Sequence, residues 1–300
     1  LLLIFTLFFH RFHSLAIVTL EAFAGVWINA FIVCVLCIGW VNKKTLNSNE
    51  KILLLLGCSR FWYLGISWLY SFLLIIYPYC FCVPLLLESL AGFQSFFDCS
   101  NIWLSACLCV LYCKKIANFS NSFFIYLKLK IDKIVPWFLL GSVLLAFVFS
   151  ILVYHICNET QCNNRNYSRL EEYLLPIGFV IGLVFSTSLT AVVFSALFLL
   201  FSLWKHKCKM QTNSMMNPSM EAHVKAMKSI LSFLLIINFV CLVLILFYIM
   251  ANVNIVTILA NIYVYGFPGV HSVVLILSNP QLEKALLKTL SCVKCEFCIK

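Results

Sequence analysis

The chain alternates between long apolar segments and short polar connections. Seven segments are long enough to cross a bilayer, since a spanning helix needs about 20 mostly apolar residues and bonds its backbone polar groups internally. Residues 1–14 lack a basic region and a clear cleavage site, so we interpret them as an extension and not as a signal peptide. The pattern predicts an all-α bundle of seven transmembrane helices, at about 15–41, 52–77, 90–112, 134–154, 173–203, 230–250 and 256–277, followed by a tail at 281–300.

The distribution of lysines predicts how the bundle lies in the membrane. They concentrate in the loops after the first, third and fifth segments and in the tail. Basic loops stay in the cytoplasm, so the amino terminus is expected outside and the carboxyl terminus inside, with a short amphipathic tail helix. Of the 300 residues, 63% are hydrophobic and 11% charged, and the net charge is +10. We therefore expect anionic membrane lipids as partners and no nucleic acid, because the lysines flank membrane segments.

The loop at 155–172 carries two sequence motifs for N-glycosylation, at Asn158 and Asn166. This loop is predicted to lie outside, where oligosaccharide can be added. Cys157 and Cys162 share the loop, and the sequence leaves open whether they form a disulfide.

Charged residues within the seven segments are few: Glu21, Arg60 and Asp98. Each costs roughly 2.5 to 3.5 kcal/mol to insert, so each needs a partner or a function. Helical rise puts Arg60 and Asn29 near mid-membrane. Arg60 is therefore predicted to bond to Asn29 or to pair with a carboxylate, and to support the bundle and its switching rather than to contact a ligand.

A polar stripe runs along one face of the third predicted helix. Gln94, Asp98, Asn101 and Ser105 are spaced by four, three and four residues, which places them on a single helix face. That face must point to other helices or to a wet cavity in the outer half of the membrane. The sequence leaves two interpretations open, a ligand pocket and a satisfied structural cluster. Aromatic residues near the outer helix ends are candidates for the walls of such a pocket: Trp68, Tyr70, Phe247 and Tyr263.

Motifs for catalysis are missing. The sequence contains no H-E-x-x-H, no Gly-rich phosphate loop and no Gly-x-Ser-x-Gly, and its histidines are scattered. We predict no enzyme activity, no catalytic residue, no metal site and no cofactor. The tail carries Cys292, Cys295 and Cys298 as C-x-x-C-x-x-C. These cysteines are candidates for metal binding or palmitoylation, and three thiols without a nearby histidine favour palmitoylation.

Several long motifs resemble the bitter taste receptors, taste receptor type 2, which are seven-transmembrane G-protein-coupled receptors. They are "WLSACLCVLYCKKIANFSNSFFIYLKLKI" (103–131), "FSLWKHKCKM" (201–210), "NPSMEAHVKAMKSILSFLL" (217–235) and "FPGVHSVVLILSNPQLEKA" (267–285). The first two helices agree through "LEAFAGVWINAFI" (20–32) and "EKILLLLGCSR" (50–60). The resemblance covers nearly the whole chain beyond residue 14.

The resemblance implies a chemosensory receptor in the plasma membrane. Small bitter compounds would bind in an outer cavity among the helices, and an inner cleft would open to a heterotrimeric G protein of the gustducin type. Gln94 and Asp98 stand where many family members have Trp and Asn, so the ligand range is not inherited. Together with the residue pattern, the resemblance gives these predicted ligand-binding residues: Gln94, Asp98, Asn101, Trp68, Ser188, Phe247 and Tyr263. The implied structural or switch residues are Asn29, Arg60, His271 and Asn279, and those facing the G protein are Tyr112, Lys115, His206, Lys209 and His223.

Two other functions remain as alternatives. A vomeronasal type 1 pheromone receptor has similar topology, but the Lys-Ile-Ala-Asn-Phe-Ser and Pro-Ser-x-Glu-Ala-His motifs favour taste. A transporter or channel is expected to show internal repeats, which the seven unequal segments lack. The sequence leaves open whether the receptor forms homo- or hetero-oligomers.

Overall fold

A computed structural model describes residues 2–76, 84–116, 136–137, 139–155, 190, 193–194, 197, 232 and 262–298. This part of the chain is helical and contains no strand, which confirms the all-α prediction for it. The helices are α1 (Leu2–Lys43), α2 (Ser48–Ile76), α3 (Pro84–Ile116), α4 (Leu139–His155), α5 (Phe267–Ser278) and α6 (Pro280–Cys298). Most of the fifth and sixth predicted segments lie outside the described residues.

Within the described residues, two helices are long and apolar enough to cross a membrane. They are Leu15–Lys43 of α1 and Ser48–Leu74 of α2. The helices α1, α2 and α3 each continue beyond the span predicted from the sequence. Hydropathy identifies the apolar segment that fits the hydrocarbon core of a bilayer. The helix itself continues until its backbone is capped, which can be beyond that segment.

The connection from α1 to α2 shows how these ends are fixed. Lys44 has a φ of 56°, a left-handed conformation that ends α1. Three residues later, the N–H of Asn47 donates to Oε2 of Glu50 at 2.9 Å. This is the acidic half of a capping box, and it begins α2 four residues before the apolar pattern does.

Close backbone contacts hold α1 against α2 and α5. A Cβ on Gly269 would lie 3.6 Å from the Cα of Gly25, so α5 and α1 meet backbone to backbone. A Cβ on Gly57 would lie 3.6 Å from the backbone carbonyl oxygen of Asn29, which brings α2 equally close to α1. Small residues permit such contacts between membrane helices, where packing and hydrogen bonds drive association. The shared core of α1, α2, α3 and α5 includes Ile32, Leu36, Leu53, Leu56, Leu108 and Leu275.

A π-helical turn, Ile262–Gly266, leads into α5. Pro268 follows it; proline has no N–H to donate, and its ring clashes with the carbonyl four residues earlier. A wider turn at this position relieves that clash.

Asn279 makes the corner between α5 and α6. Its backbone is extended, with φ −104° and ψ 115°, as expected for a residue before proline. Its Oδ1 accepts the N–H of Gln281 at 2.9 Å and that of Leu282 at 3.4 Å, so Asn279 caps the start of α6. Leu282 is completely buried in the shared core and fixes the first turn of α6 to the bundle.

Candidate functional site

Arg60 lies at the centre of a buried polar cluster. Only 4% of its surface is exposed. Its Nη1 donates to Oγ of Ser272 at 2.8 Å, and its Nη2 contacts Oγ of Ser105 at 3.2 Å and Nδ1 of His271 at 2.6 Å. The side chain of Arg60, on α2, therefore connects α3 and α5.

Ser272 extends the cluster to α1. Its hydroxyl donates to Oδ1 of Asn29 at 2.8 Å, and Nδ2 of Asn29 donates to the carbonyl of Gly25 at 2.8 Å. The contact between Arg60 and Asn29 that the sequence suggests is thus indirect and passes through Ser272. One chain of hydrogen bonds joins α1, α2, α3 and α5.

The chemistry of the guanidinium fixes the state of His271. A guanidinium has donors and no acceptor. Nδ1 of His271 must therefore accept the hydrogen bond from Arg60, which leaves the imidazole neutral with its proton on Nε2.

Among the described residues, Arg60 is surrounded by neutral polar groups. The sequence offered a carboxylate as an alternative partner, and no carboxylate of the described residues contacts Arg60. Glu21 is eight residues, about 12 Å along the helix, from Asn29. Asp98 is seven residues, about 10 Å, from Ser105. The hydrogen-bond partners of Arg60 among the described residues are two hydroxyls and one imidazole.

The predicted stripe on α3 becomes more buried toward this cluster. Gln94 and Asp98 are half-buried, whereas Asn101 and Ser105 are buried. Oδ1 of Asn101 is fully shielded and has no hydrogen-bond partner among the described residues. Ser105 also bonds to Arg60, so the inner end of the stripe belongs to the central cluster and Gln94 and Asp98 lie on the same helix face nearer to the start of α3.

Trp68 packs against α1. Its Nε1 donates to Oγ1 of Thr19 at 3.0 Å. Its ring meets Phe23 edge-on at 5.9 Å and stacks on Phe72 at 5.3 Å between centroids. Nearby, the hydroxyl of Tyr265 donates to the carbonyl of Ser67 at 2.7 Å and so ties α2 to the π-helical turn before α5.

Other predicted residues are only partly described. The backbone of Tyr112 and Lys115 lies in the last turns of α3, and that of Tyr263 lies in the π-helical turn. Cys292 is exposed on α6. The remaining predicted positions lie outside the described residues: Ser188, Phe247, His206, Lys209, His223, Asn158 and Asn166.

Sequence reasoning does not identify Ser272 or Ser105 as partners of Arg60. Ser105 is the inner end of the stripe, and Ser272 follows His271 directly. The sequence gives no other indication of this role, because serines are common and Arg60 is distant from both serines along the chain.

Comparisons with known proteins agree along almost the entire chain. The family model "Taste receptor protein (TAS2R)" matches residues 7–294. The chain is 32% identical to taste receptor type 2 member 9 of Pongo pygmaeus, with 91% of this chain and 92% of that protein covered. It is also 32% identical to taste receptor type 2 member 105 of Mus musculus, over 93% and 96% of the two chains. The chain therefore belongs to the taste receptor type 2 family, the bitter taste receptors, which are G-protein-coupled membrane receptors and not enzymes.

Proposed function

We propose that this receptor binds small bitter compounds in a cavity in the outer half of the bundle and activates a heterotrimeric G protein of the gustducin type. The observation that carries this proposal is the graded stripe of α3. Its outer members, Gln94 and Asp98, are half-buried, and its inner member Ser105 bonds to Arg60. A ligand that contacts Gln94 and Asp98 would therefore bind on the same helix face as Ser105, which belongs to the cluster that joins four helices.

The unpartnered Oδ1 of Asn101 supports a polar binding site at this depth. A buried acceptor without a hydrogen bond costs about 1 to 3 kcal/mol. A ligand or a bound water that donates to Oδ1 recovers that cost. The proposal therefore assigns Asn101 the role of a hydrogen-bond acceptor for the ligand, beside Gln94 and Asp98. Trp68, Ser188, Phe247 and Tyr263 complete the proposed lining.

Signalling follows from a difference in affinity. An agonist shifts a two-state receptor only when it binds the active state more tightly than the inactive state. The Arg60 cluster is a candidate for the element that differs between the states, because it joins helices that must move relative to one another. The proposed G-protein contacts are Tyr112, Lys115, His206, Lys209 and His223, on the cytoplasmic side assigned by the lysine distribution. Glycosylation of Asn158 and Asn166 is proposed on the outer side.

The experiment is a calcium assay in cells that express the receptor with a gustducin-like G protein, challenged with a broad panel of bitter compounds. We expect a dose-dependent response that disappears in cells without the G protein. The test variant is Asn101→Ala, which removes the acceptor. The control variant is Gly65→Ala, a small change at an exposed position of α2. A response that persists without any G protein contradicts the coupling. A dose response that is identical for Asn101→Ala and wild type contradicts the site.

A further inference from the structure

The positive charge of Arg60 is hydrogen-bonded, but no negative group among the described residues contacts it. Only 4% of the side chain is exposed, and its bonds go to the hydroxyls of Ser272 and Ser105 and to the neutral imidazole of His271. Neutral acceptors satisfy the donors, but they leave the net charge in a medium of low dielectric constant, where an ion without a counter-ion is costly. A negative group close to Arg60 is therefore expected.

The membrane segments have few carboxylates that could supply this negative charge. The chain contains 11 Asp and Glu residues, and only Glu21 and Asp98 lie within the seven predicted segments. Helical rise puts Glu21 about 12 Å from Asn29 and Asp98 about 10 Å from Ser105. The fifth and sixth predicted segments, most of which lies outside the described residues, contain no Asp or Glu. A side chain of these segments is therefore not expected to be the close counter-ion of Arg60.

The site has hydrogen-bond donors that the cluster does not use. A guanidinium carries five N–H groups. Both hydrogens of Nη2 are taken by Ser105 and His271, and one hydrogen of Nη1 is taken by Ser272. The other N–H groups, on Nη1 and Nε, have no acceptor among the described residues.

Ser105 adds a hydroxyl donor next to these N–H groups. Its Oγ accepts from Arg60 at 3.2 Å, so its own O–H is left to donate. Ser272 differs, because its O–H already donates to Asn29. Hydrogen bonds from N–H and O–H groups to an ionised acceptor are about twice as strong as those to a neutral one. The donors of Arg60 and Ser105 thus suit an anion.

We propose that a small monovalent anion of the chloride type binds beside Arg60 and Ser105 and balances the buried charge. It accepts a hydrogen bond from the O–H of Ser105 and one from an N–H of Arg60. Oδ1 of Asn101, one turn earlier on α3, is itself an acceptor and is not a ligand of the anion. The anion site is thus distinct from the proposed site for bitter compounds, and neither proposal depends on the other.

The anion acts on the contact between α2 and α3. Arg60 lies on α2 and Ser105 on α3, so the anion binds only while these helices are in contact as described. A ligand that prefers one arrangement of helices stabilises that arrangement by mass action. Chloride is therefore expected to stabilise the bundle whether or not a bitter compound is bound.

The test is thermal unfolding of the purified full chain in detergent. Sodium gluconate is replaced stepwise by sodium chloride at a constant ionic strength of about 0.15 M. We expect the melting temperature to rise with chloride and then to level off, as saturable binding to the folded state requires. Bromide should act like chloride, since it is also a single-atom anion. A melting temperature that is equal in both salts, or that changes with chloride without levelling off, overturns the proposal.

Ser105→Ala and Ser100→Ala are a matched pair of variants on α3. Both serines are buried, but the hydroxyl of Ser100 donates to the carbonyl of Phe96 within its own helix. Loss of a hydrogen bond to a charged group should raise the chloride concentration at half-maximal effect by roughly tenfold in Ser105→Ala. Ser100→Ala should keep the wild-type value. Equal midpoints in the two variants contradict a site beside Ser105.

Anomalous scattering gives a second readout that needs no variant. Crystals of the wild-type receptor grown in bromide should show an anomalous peak next to the guanidinium of Arg60 and Oγ of Ser105. Peaks beside surface lysines with none beside Arg60 overturn the proposal. That result would mean that neutral groups alone hold the charge of Arg60.

Discussion

Nη2 of Arg60 and Nδ1 of His271 lie 2.6 Å apart, although 211 positions separate the two residues along the chain. The same guanidinium reaches Ser272 and Ser105, so its position depends on helices from both ends of the sequence.

Arg60→Ala should lower both the surface level and the thermal stability of the receptor. It removes three hydrogen bonds, and interhelical hydrogen bonds in membrane proteins average about 0.6 kcal/mol, so we expect a loss of roughly 2 kcal/mol. Arg60→Lys should recover only part of this, because an ammonium lacks the planar fork that reaches three partners. Thermal unfolding in detergent and surface labelling measure the effect. Wild-type values for Arg60→Ala in both assays contradict a structural role for the cluster.

Ser272→Ala should cost more than Ser105→Ala. Ser272 accepts from Arg60 and donates to Asn29, so its loss leaves two buried groups without their partners. The loss of the Ser105 hydroxyl affects one longer contact, of 3.2 Å. The two substitutions remove the same atom and differ only in position. Equal changes in unfolding temperature contradict the relay through Ser272.

Gly25→Ala should destabilise the contact between α1 and α2. A Cβ at Gly25 would lie 2.7 Å from Cδ1 of Leu64, so Leu64 must move. Gly65→Ala is the matched control, since a Cβ there meets nothing within 4 Å. Alanine is favoured over glycine in a helix by about 1 kcal/mol, so Gly65→Ala should raise the melting temperature or leave it unchanged. Gly25→Ala should therefore lower the melting temperature and Gly65→Ala should not, which thermal unfolding measures directly.

Asn279→Ala should loosen the start of α6. The substitution removes the acceptor for the N–H groups of Gln281 and Leu282, and loss of such a cap costs about 1 kcal/mol. Hydrogen exchange of the amides of residues 281–286 should become faster, while exchange in α2 stays unchanged. Asn279→Asp retains the oxygen acceptor and should restore slow exchange. Equal exchange rates in Asn279→Ala and wild type would show that Asn279 does not cap the start of α6.

Asp98→Asn should change the selectivity for ligands and not the surface level. If the carboxylate faces the proposed cavity, its loss removes an attraction to cationic agonists that is worth several kcal/mol at 4 Å in a partly screened environment. We expect cationic agonists to weaken by tenfold or more and neutral agonists to change little. Dose responses across a panel that contains both kinds give the comparison. An unchanged response to every compound removes Asp98 from the pocket.

The sequence predicts this fold well where the physics is local. Apolar length predicts helices, and the spacing of Gln94, Asp98, Asn101 and Ser105 predicts their shared face. Helical rise alone brings Arg60 and Asn29 to similar depth. It does not predict that Ser272 stands between them, because a pattern along the chain contains no information on which distant helices are neighbours. The helix ends at Lys44 and Asn279 likewise depend on caps and backbone conformation, which hydropathy does not register.

The contact between Gly25 and Gly269 has a consequence for synthesis. Helices α1 and α5 meet although they come from opposite ends of the chain, and Arg60 enters the membrane long before His271 and Ser272 exist. At about 5 to 20 residues per second, the ribosome needs roughly 10 to 40 s to make the intervening chain. During this interval Arg60 must be tolerated by the translocon, by lipid headgroups or by temporary partners. A nascent chain that stops before His271 keeps a buried cation with Ser105 as its remaining native partner, and we expect cellular quality control to recognise and degrade it.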